Sequence, residues 1–312
     1  MNITFFAPTP GFIGPIVNHF SKDPNNHIKV WVTGDENSFM SALQTSDIVW
    51  FDFANEMLLT AQNMFPHKTF KCIVRLHSYE AFTDMPSHVN WSRVDDLILV
   101  NDSVKDILSM VGVWDKINRQ TRVHTIPNLV DTSKFKLVDV DKKDFKKIAY
   151  LGSINYKKDP SMIMPIAESL LDMVIHCGGE FQDLRYQLIF DQYFKNNKNA
   201  NLNFEGHQTD VNIWLQDKMF ILNTSLFESF NFAICEAMLC GCLPLIRDWK
   251  GSENVYPNIS RWNTIAECVE MVDNYRQDSK DKIRDIQAEN RKFIVDNYDV
   301  SVLIPKIEKV VL

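Results

Sequence analysis

Short apolar runs alternate with longer amphipathic stretches along almost the whole chain, and this alternation limits the possible folds more than any other feature. Segments such as Ser38–Gln44 and Ser103–Met110 read as amphipathic helices between the runs. Runs such as DIVWF and DLILV are continuous rather than alternating, which is typical of strands covered by helices on both faces. The pattern predicts a doubly wound α/β domain with a parallel sheet. The predicted strands of the first half are Ile3–Phe6, Ile28–Val32, Ile48–Phe53, Cys72–His77, Leu97–Val100 and Val123–Ile126.

The polar stretch PNLVDTSKFKLVDVDKKDFKK interrupts this rhythm and reads as a linker. A second α/β domain of similar design follows, and the chain from about Thr264 reads as helices. We expect an N-terminal domain over 1–140, a second over 141–295, and a C-terminal helix over 296–312, for which packing back on the first domain is one option. Open α/β sheets bind ligands beyond the carboxyl ends of their strands, so we expect a ligand cleft between the two domains. The predicted strands of the second half are Ile148–Leu151, Met173–Cys177, Leu202–Glu205, Met219–Asn223 and Leu243–Ile246.

Composition excludes several classes of protein. The 312-residue chain has a formal net charge of −7, which argues against a surface that binds nucleic acid throughout but allows a local basic groove. The sequence contains no run of eighteen apolar residues, so no membrane span is predicted. The segment MNITFFAPTPGF reads as a first strand rather than a signal peptide. Six cysteines lack zinc-site spacing and are expected to be buried free thiols in a reducing cytoplasm.

The segment ESFNFAICE follows the apolar strand MFILNTS and opens a helix predicted over Phe232–Cys240. The free amide groups and the dipole of a helix start attract an anion. Glu228, in the turn, can accept hydrogen bonds from sugar hydroxyls. Glu236 lies one turn inside the helix and can reach back to hold two ribose hydroxyls. The alternative for Glu228 is a first-turn carboxylate that stabilises the helix dipole by ~0.3–1 kcal/mol.

The segment LGSINYKKDP ends the first strand of the second domain with a glycine and continues with a lysine pair. Gly152 permits close backbone approach, and a lysine there can act as a point charge on a phosphate. Lys158 is the preferred diphosphate ligand and Lys157 the alternative. A solvated lysine pair before a proline-started helix is the other interpretation.

Three further strand ends carry candidate residues. The loop PTPGFIGP contains Gly11 and Gly14, which bring backbone close to a ligand or form a simple turn, and it lacks a GxGxxG fingerprint. RLHSYE places His77 at a strand end, as a side chain in the cleft or as a structural histidine. HCGGEFQD contains Gly178 and Gly179 in a turn suited to close approach by a nucleotide.

Together these motifs resemble the retaining GT-B glycosyltransferases called group 1, or family 4. The resemblance covers most of the chain, with landmarks in order: a Gly-containing first loop, RLHSYE, IPNLVDTSKF, LGSINYKKDP, HCGGEF, FEGH and ESFNFAICEAMLCGCLPLI. It implies two Rossmann-like domains facing each other across a cleft. It also implies a metal-independent hexosyl- or pentosyltransferase that needs no cofactor, uses a UDP- or GDP-linked sugar and retains the anomeric configuration.

The resemblance also implies residue roles. Glu228 looks like the family's first motif glutamate, which contacts the donor sugar, and Glu236 like the second, which binds ribose. Lys158 resembles the diphosphate-binding lysine, and His77 the active-site histidine of the first domain; His77, Lys158 and Glu228 form the implied catalytic set. Arg75 and Glu80 are expected on the acceptor side. The remaining implied donor-binding residues are Gly11, Gly14, Gly152, Ser153, Lys157, Gly178, Gly179, Gly206, His207, Phe230, Asn231 and Phe232.

Some positions depart from the family pattern. Ser153 stands where the family often has arginine, which leaves Lys158 or Arg75 to compensate for the lost charge. Asn231 stands where the family usually has glycine; because asparagine tolerates left-handed dihedral angles, we expect the turn to survive with an altered sugar pocket. Leu129 replaces the last residue of the family's PNG. The single D-x-D, at positions 139–141, lies in the predicted linker and reads as a solvated charge cluster.

The acceptor stays open at this point. One interpretation is a glycan or polysaccharide precursor, without stable membrane insertion of the protein. An alternative is a phage-type enzyme that acts on a hydroxymethylated pyrimidine in DNA, which would require a basic groove and a flipped base. Two further alternatives are a non-catalytic protein that binds nucleotide sugars and an epimerase that acts on one.

Overall fold

A computed structural model of the chain describes residues 1–65, 67–198 and 200–312. Their contacts divide the chain into two compact units. The N unit comprises Met1–Asp131 and Tyr298–Leu312, and the C unit comprises Thr132–Asn297. The sequence-based boundaries lie at 140 and 295. The first part of the expected linker belongs to the C unit, because Val138 and Val140 are buried and the Val138 amide donates to Cys240 O at 3.3 Å.

The N unit contains a six-stranded parallel sheet in the order β2-β1-β3-β4-β5-β6 within its described residues. Every residue of the third strand is buried, as the continuous run in DIVWF predicts for a strand covered on both faces. The six predicted strands are present, with bounds that differ by a residue at either end. The strands are β1 Asn2–Phe6, β2 His27–Trp31, β3 Ile48–Asp52, β4 Lys71–Leu76, β5 Asp96–Leu99 and β6 Arg122–Thr125.

Helices cover this sheet, and the last helix of the chain packs into the same core. Asp299 caps that helix by accepting from the Ser301 amide, and Leu303, Ile307 and Val310 join the apolar cluster of the sheet. The helices of the N unit are α1 Gly14–Phe20, α2 Glu36–Gln44, α3 Glu56–Met64, α4 Ser78–Ala81, α5 Met85–His88, α6 Val104–Met110, α7 Trp114–Gln120 and, at the end of the chain, α15 Val300–Val311.

The C unit contains a second six-stranded parallel sheet, in the order β12-β11-β10-β7-β8-β9 over its described part. Five of these strands were predicted; the first begins at Asp144 rather than Ile148. The sixth, at the sheet edge, has only two residues, too short to give a periodic signal in the sequence. The strands are β7 Asp144–Leu151, β8 Val174–Gly178, β9 Leu202–Gly206, β10 Lys218–Asn223, β11 Leu243–Arg247 and β12 Arg261–Trp262.

The helices of the C unit pack on both faces of its sheet. The D-x-D carboxylates form ion pairs with one of them: Asp139 and Asp141 contact Arg284, and Asp141 also contacts Lys280 at 2.5 Å. Among the described residues, no helix is long and apolar enough to cross a bilayer. The helices are α8 Ile163–Ser169, α9 Leu184–Asn196, α10 Val211–Trp214, α11 Phe232–Leu239, α12 Ser252–Val255, α13 Ile265–Gln277 and α14 Lys280–Tyr298.

Each sheet has one position where the order of strands reverses. In the N unit it lies between β1 and β3, and in the C unit between β7 and β10. At such a switch point the loops leave the sheet in opposite directions and open a crevice at its carboxyl edge. The candidate residues lie in the segments that follow these four strands and the neighbouring strands β4, β8 and β9.

Candidate active site

The switch point of the C unit joins a lysine pair to a buried glutamate. The loop after β7 ends in a 3₁₀ turn, Tyr156–Lys158, and the loop after β10 contains Glu228. Lys158 Nζ lies 2.5 Å from Glu228 Oε1, and Lys157 Nζ lies 2.8 Å from Glu228 Oε2. The sequence assigned the lysines to a diphosphate and the glutamate to a sugar; in the structure the three side chains form one ionic group.

Glu228 is 2% exposed, so its charge depends on its partners. Burial pushes the pKa of Glu228 upward, but the ammonium groups of Lys158 and Lys157 outweigh it and hold the pKa below its usual value. Ser225 Oγ donates to Oε1 at 3.0 Å, and Asn231 Nδ2 does so at 3.4 Å. The group carries two positive charges and one negative, and the lysine side chains are partly exposed, 34% for Lys157 and 18% for Lys158. A net positive edge of this kind attracts an anion.

The start of α11 lies beside this group. Asn231 is its N-cap and accepts from the Ile234 amide at 3.4 Å, while Tyr256 donates its hydroxyl to Asn231 O at 3.1 Å. Asn231 has φ −122° and ψ 101°, so the left-handed dihedral expected there is not adopted. The reason is that capping needs an extended backbone, which asparagine adopts without strain. Phe230 and Phe232 flank the cap with ring centroids 5.2 Å apart.

Glu236 lies one turn further along α11. Within the described residues its carboxylate makes no hydrogen bond to another side chain. Burial raises the pKa of Glu236 to about 7, against the opposing effect of Lys134. A carboxylate that is partly buried and has no hydrogen bond to another side chain is suited to accept hydrogen bonds from a ligand.

Glycines line the carboxyl ends of three neighbouring strands. Gly152 follows β7 with φ 134°, and Gly179 follows β8 with φ 152°. A Cβ on Gly179 would lie 2.0 Å from Gly152 O, so no other residue fits there. A Cβ on Gly178 would lie 2.8 Å from the Gln208 side chain and 3.2 Å from that of Trp214, and Gly206 ends β9 with φ 68°. Gly178 and Gly179 are therefore packed within the unit, whereas a Cβ on Gly206 would meet no atom within 4 Å, so a ligand can approach the backbone closely there.

Two predicted donor residues do not take part in the ionic group. Ser153 is half-buried next to Gly152. His207 is exposed just beyond β9. Within the described residues, neither side chain forms a hydrogen bond or an ion pair with Lys158 or Glu228.

The N unit has a different arrangement at the ends of β3 and β4. Arg75, 1% exposed, donates from Nε to Asp52 Oδ1 at 2.6 Å and from Nη2 to Asp52 Oδ2 at 3.2 Å. Its Nη2 also donates to Phe12 O at 3.1 Å, in the loop after β1. Burial opposes ionisation of Asp52, yet Arg75 and His77 lower its pKa to about 2. The guanidinium charge is thus neutralised inside the N unit.

His77 follows β4, where the sequence placed it. Its Nε2 lies 3.7 Å from Asp52 Oδ1, and its ring stacks on Phe53 with centroids 4.6 Å apart. Glu80 is buried and accepts from the amides of His77 at 2.9 Å and Ala54 at 3.3 Å. Burial raises the pKa of Glu80 to about 8 despite these hydrogen bonds. The Glu80 carboxyl group is therefore largely protonated at pH 7, and in that form it holds the backbone around His77.

Two residues of this arrangement were missed by the sequence analysis. Asp52 was included in a predicted strand without a role, although an acid inside the run IVWFDF is an available signal. Phe53 has φ 97°, a left-handed conformation that is rare for an aromatic residue and that concentrates at functional sites. No sequence signal indicates that strain.

Gly11 and Gly14 lie in the loop after β1 and at the start of α1. A Cβ on either residue would meet no atom within 4 Å, and neither has a positive φ. The fold of the N unit therefore does not require glycine at these two positions.

Within the described residues, no group of three or more His, Cys, Asp or Glu side chains is placed to hold a metal ion. All six cysteines are free and buried. Burial raises the pKa of Cys72 and Cys240 to about 12, so these thiols stay protonated.

Comparison with known proteins identifies the fold. No protein-family model and no curated protein matches the chain. The crystal structure of Anabaena HepE in complex with UDP-glucose shares the fold over 99% of both chains, with a TM-score of 0.77 and 14% identity. A glycosyltransferase from Rickettsia africae ESF-5 matches with a TM-score of 0.72 and 13% identity, over 99% of this chain and 97% of its own. A mutant S. aureus TarM in complex with Fondaparinux, alpha-GlcNAc-glycerol and UDP matches over 84% and 55%, with a TM-score of 0.63 and 16% identity. At such identities the likeness shows the fold alone.

Proposed function

We propose that the chain is a glycosyltransferase of the GT-B type that moves a sugar from a UDP-sugar to a hydroxyl group of a glycan or polysaccharide precursor. One observation carries the proposal: the net positive Lys157–Lys158–Glu228 group lies at the switch point of the C unit, beside a backbone edge lined by glycines. The fold is shared end to end with a structure that binds UDP-glucose, which supports the choice of donor.

The donor binds at the carboxyl edge of the C unit. The diphosphate lies against Lys158, with Lys157 beside it, and against the amides that begin α11 at Phe230, Asn231 and Phe232. The backbone at the glycine-lined strand ends admits the nucleotide. Lys158 stabilises the negative charge that develops on the leaving diphosphate, which is electrostatic catalysis.

The two glutamates have different roles. Glu228, already ionised by its lysine partners, orients the lysine ammonium groups and accepts hydrogen bonds from the donor sugar. Glu236 accepts from the ribose hydroxyls, since its carboxylate has no competing hydrogen bond among the described residues. Binding of the ribose favours the ionised form of Glu236, so nucleotide affinity rises with pH near 7.

The N unit serves the acceptor. His77 is the candidate active-site side chain, Asp52 and Glu80 fix its ring and backbone, and Arg75 positions Asp52 and the loop after β1. Gly11 and Gly14 leave space in that loop for a ligand. The net charge of −7 favours a glycan over modified DNA as acceptor.

Retention of anomeric configuration and independence of metal ions belong to the proposal as well. The lysine pair supplies positive charge where other transferases use a cation. The leaving phosphate takes the acceptor proton as the sugar passes across one face, so no carboxylate nucleophile is required. Activity is expected to persist in EDTA; loss that manganese restores would contradict the metal-free mechanism.

A donor panel tests the proposed function. The protein is incubated with UDP-glucose, UDP-GlcNAc and GDP-mannose, each with a glycan mixture, with hydroxymethylated DNA and without acceptor. We expect UDP release and a new glycoside, whose anomeric configuration NMR reports. Tight donor binding without turnover would indicate a nucleotide-sugar-binding protein, and an epimerised sugar without acceptor would indicate an epimerase. Modification of DNA alone would overturn the glycan assignment.

A further inference from the structure

The short segment that carries the lysine pair is held by its backbone. Leu226 N donates to Lys157 O at 3.0 Å, and Thr224 Oγ1 donates to Lys158 O at 2.5 Å. Tyr150 OH reaches the same Lys158 carbonyl at 3.5 Å. All three donors belong to β7 or to the loop after β10. The position of the lysine pair therefore depends on how tightly this segment is attached to the switch point.

The residue that ends the segment is strained. Asp159 has φ 41° and ψ 59°, in the left-handed region that residues other than glycine adopt at a cost. Among residues with a Cβ, aspartate tolerates this region better than most. Such a conformation persists when surrounding contacts hold it, and the contacts of the Asp159 side chain supply the reason.

Arg247, the last residue of β11, holds Asp159. Its Nη1 lies 2.6 Å from Asp159 Oδ2 and 3.0 Å from Thr224 O. Both side chains are mostly buried, with 23% and 18% exposed, and the guanidinium carbon lies 5.9 Å from the centre of the Trp262 ring. A single guanidinium nitrogen thus contacts both the end of the lysine segment and the loop that leads to Glu228. Neither Arg247 nor Asp159 was predicted to have a role.

We infer that the Arg247–Asp159 pair is a positioning device for Lys158. Asp159 directly follows Lys158, so a shift of the Asp159 backbone moves the Lys158 ammonium group relative to Glu228. Small displacements of a charged group reduce transition-state stabilisation because its field falls with distance and its hydrogen bonds are directional. This inference rests on the proposed function, and it adds two residues that act through Lys158 without touching the donor.

A local alternative is that the pair is an ordinary surface ion pair, which contributes between nothing and about 1 kcal/mol to stability. Arg276 on α13 and the exposed Asp172, in the loop before β8, form such a pair in the same unit, also at 2.6 Å. Arg276→Met is therefore a matched control, since it removes an arginine–aspartate contact of equal length away from the lysine segment.

The experiment compares Arg247→Met, Asp159→Asn, the double variant, Arg247→Lys and Arg276→Met. We expect Arg247→Met and Asp159→Asn each to lower UDP affinity and UDP-sugar turnover about 5- to 30-fold, the factor that 1–2 kcal/mol represents. The double variant should lose no more affinity and turnover than the worse single variant, because both substitutions break the same Arg247–Asp159 contact. Arg247→Lys should recover part of the loss, and Arg276→Met should match wild type.

Uridine affinity distinguishes a displaced lysine pair from a general structural defect, which would weaken uridine and UDP binding equally. Uridine lacks phosphates, so its affinity should stay at the wild-type value in Arg247→Met while UDP affinity falls. An equal loss for uridine and UDP, additive single effects, or wild-type turnover in either single variant would overturn the inference.

Hydrogen exchange without nucleotide separates failure of this inference from failure of the proposed function. Amides of residues 152–159 should exchange faster in Arg247→Met than in Arg276→Met, whatever the donor proves to be. Unchanged exchange would sink the positioning role. Faster exchange in a protein that binds no UDP would retain the positioning role and refute the donor assignment instead.

Discussion

The carboxyl edge of each sheet, near its switch point, contains a buried carboxylate, and the two units neutralise the charge of that carboxylate in different ways. In the C unit, Glu228 faces two lysines whose side chains are partly exposed. In the N unit, Asp52 is paired in bidentate fashion with Arg75, and both are almost fully buried. The first edge has a positive charge left over that a ligand can reach, and the second has its arginine charge neutralised internally. The topology alone does not distinguish a binding edge from a positioning edge; the ratio of charges and their exposure do.

The largest expected effect is on the N unit. Arg75→Met leaves Asp52 buried without its cation and should destabilise the protein by about 3–5 kcal/mol, measured by urea unfolding. Asp52→Asn together with Arg75→Met should recover a large part of that loss. A loss below about 1 kcal/mol in the single variant, the range of surface pairs, would erase the contrast between the two edges.

The next effect is on turnover at the C unit. Lys158→Ala should lower donor turnover by about 10²–10³-fold, because removing one group that stabilises developing negative charge has that cost. Lys157→Ala should have a smaller effect, since Lys157 is the more exposed lysine. Initial rates of UDP release measure both. Equal rates for wild type and Lys158→Ala would remove Lys158 from the catalytic set.

Glu80 of the N unit and Glu228 of the C unit should also respond to pH with opposite signs. The pKa of Glu80 is raised to about 8, so the folded state holds a proton that the unfolded chain has lost; its contribution is complete below the unfolded pKa and disappears as pH rises through about 8. The pKa of Glu228 is lowered, so its contribution is present above the unfolded pKa and is lost as pH falls.

Urea unfolding of Glu80→Gln at several pH values tests the first of these signs. Between pH 5 and 8 the variant should lack a slope of up to about 1.4 kcal/mol per pH unit. Identical slopes in wild type and variant would show that Glu80 does not hold its proton.

Glu236→Gln addresses the nucleotide end of the C-unit edge. A carboxylate that accepts from two ribose hydroxyls contributes about 1.5–3 kcal/mol, so uridine affinity should fall by at least tenfold. Because burial raises the pKa of Glu236 to about 7, wild-type affinity should increase from pH 6 to pH 8 and the variant should show no such increase. Calorimetry at the two pH values gives both results, and a flat wild-type profile would contradict the ribose role.

The smallest effect concerns a glycine of the N unit. Gly11→Ala meets no atom within 4 Å, so it should leave thermal stability unchanged or raise it by about 0.4–1 kcal/mol. Transfer activity should fall nonetheless if a ligand approaches this backbone. Unchanged activity would take Gly11 out of the donor-binding set, and a lower melting temperature would show a packing role that the open space does not indicate.

Much of the fold could be read from particular segments. The run DIVWF predicted a strand buried on both faces, and all of Ile48–Asp52 is buried. The helix predicted over Phe232–Cys240 ends one residue earlier, at Leu239. Apolar periodicity carries such information because it reports which faces leave water. The two-residue strand Arg261–Trp262 could not be found, since pairing with β11 rather than its own pattern defines it.

The site was predictable residue by residue but not as an arrangement. Lys158 and Glu228 each lie in a recognisable strand-to-helix turn, yet their contact spans seventy residues of chain. Asn231 was expected to preserve the turn because asparagine tolerates a left-handed dihedral, but its capping backbone is extended and does not use that tolerance. Asp159 and Arg247 gave no sequence signal, because a lysine-rich turn and the end of a strand carry no mark of their pairing.

The sequence by itself determined the alternation of strands and helices, the two sheets and the turns in which Lys158, Glu228 and His77 lie. These follow from local periodicity and from glycine and proline positions. Only the tertiary structure decided which charges meet and how much water reaches them. That decision sets the pKa values of Glu80, Glu228 and Glu236, because desolvation and partner charges depend on neighbours distant in the chain.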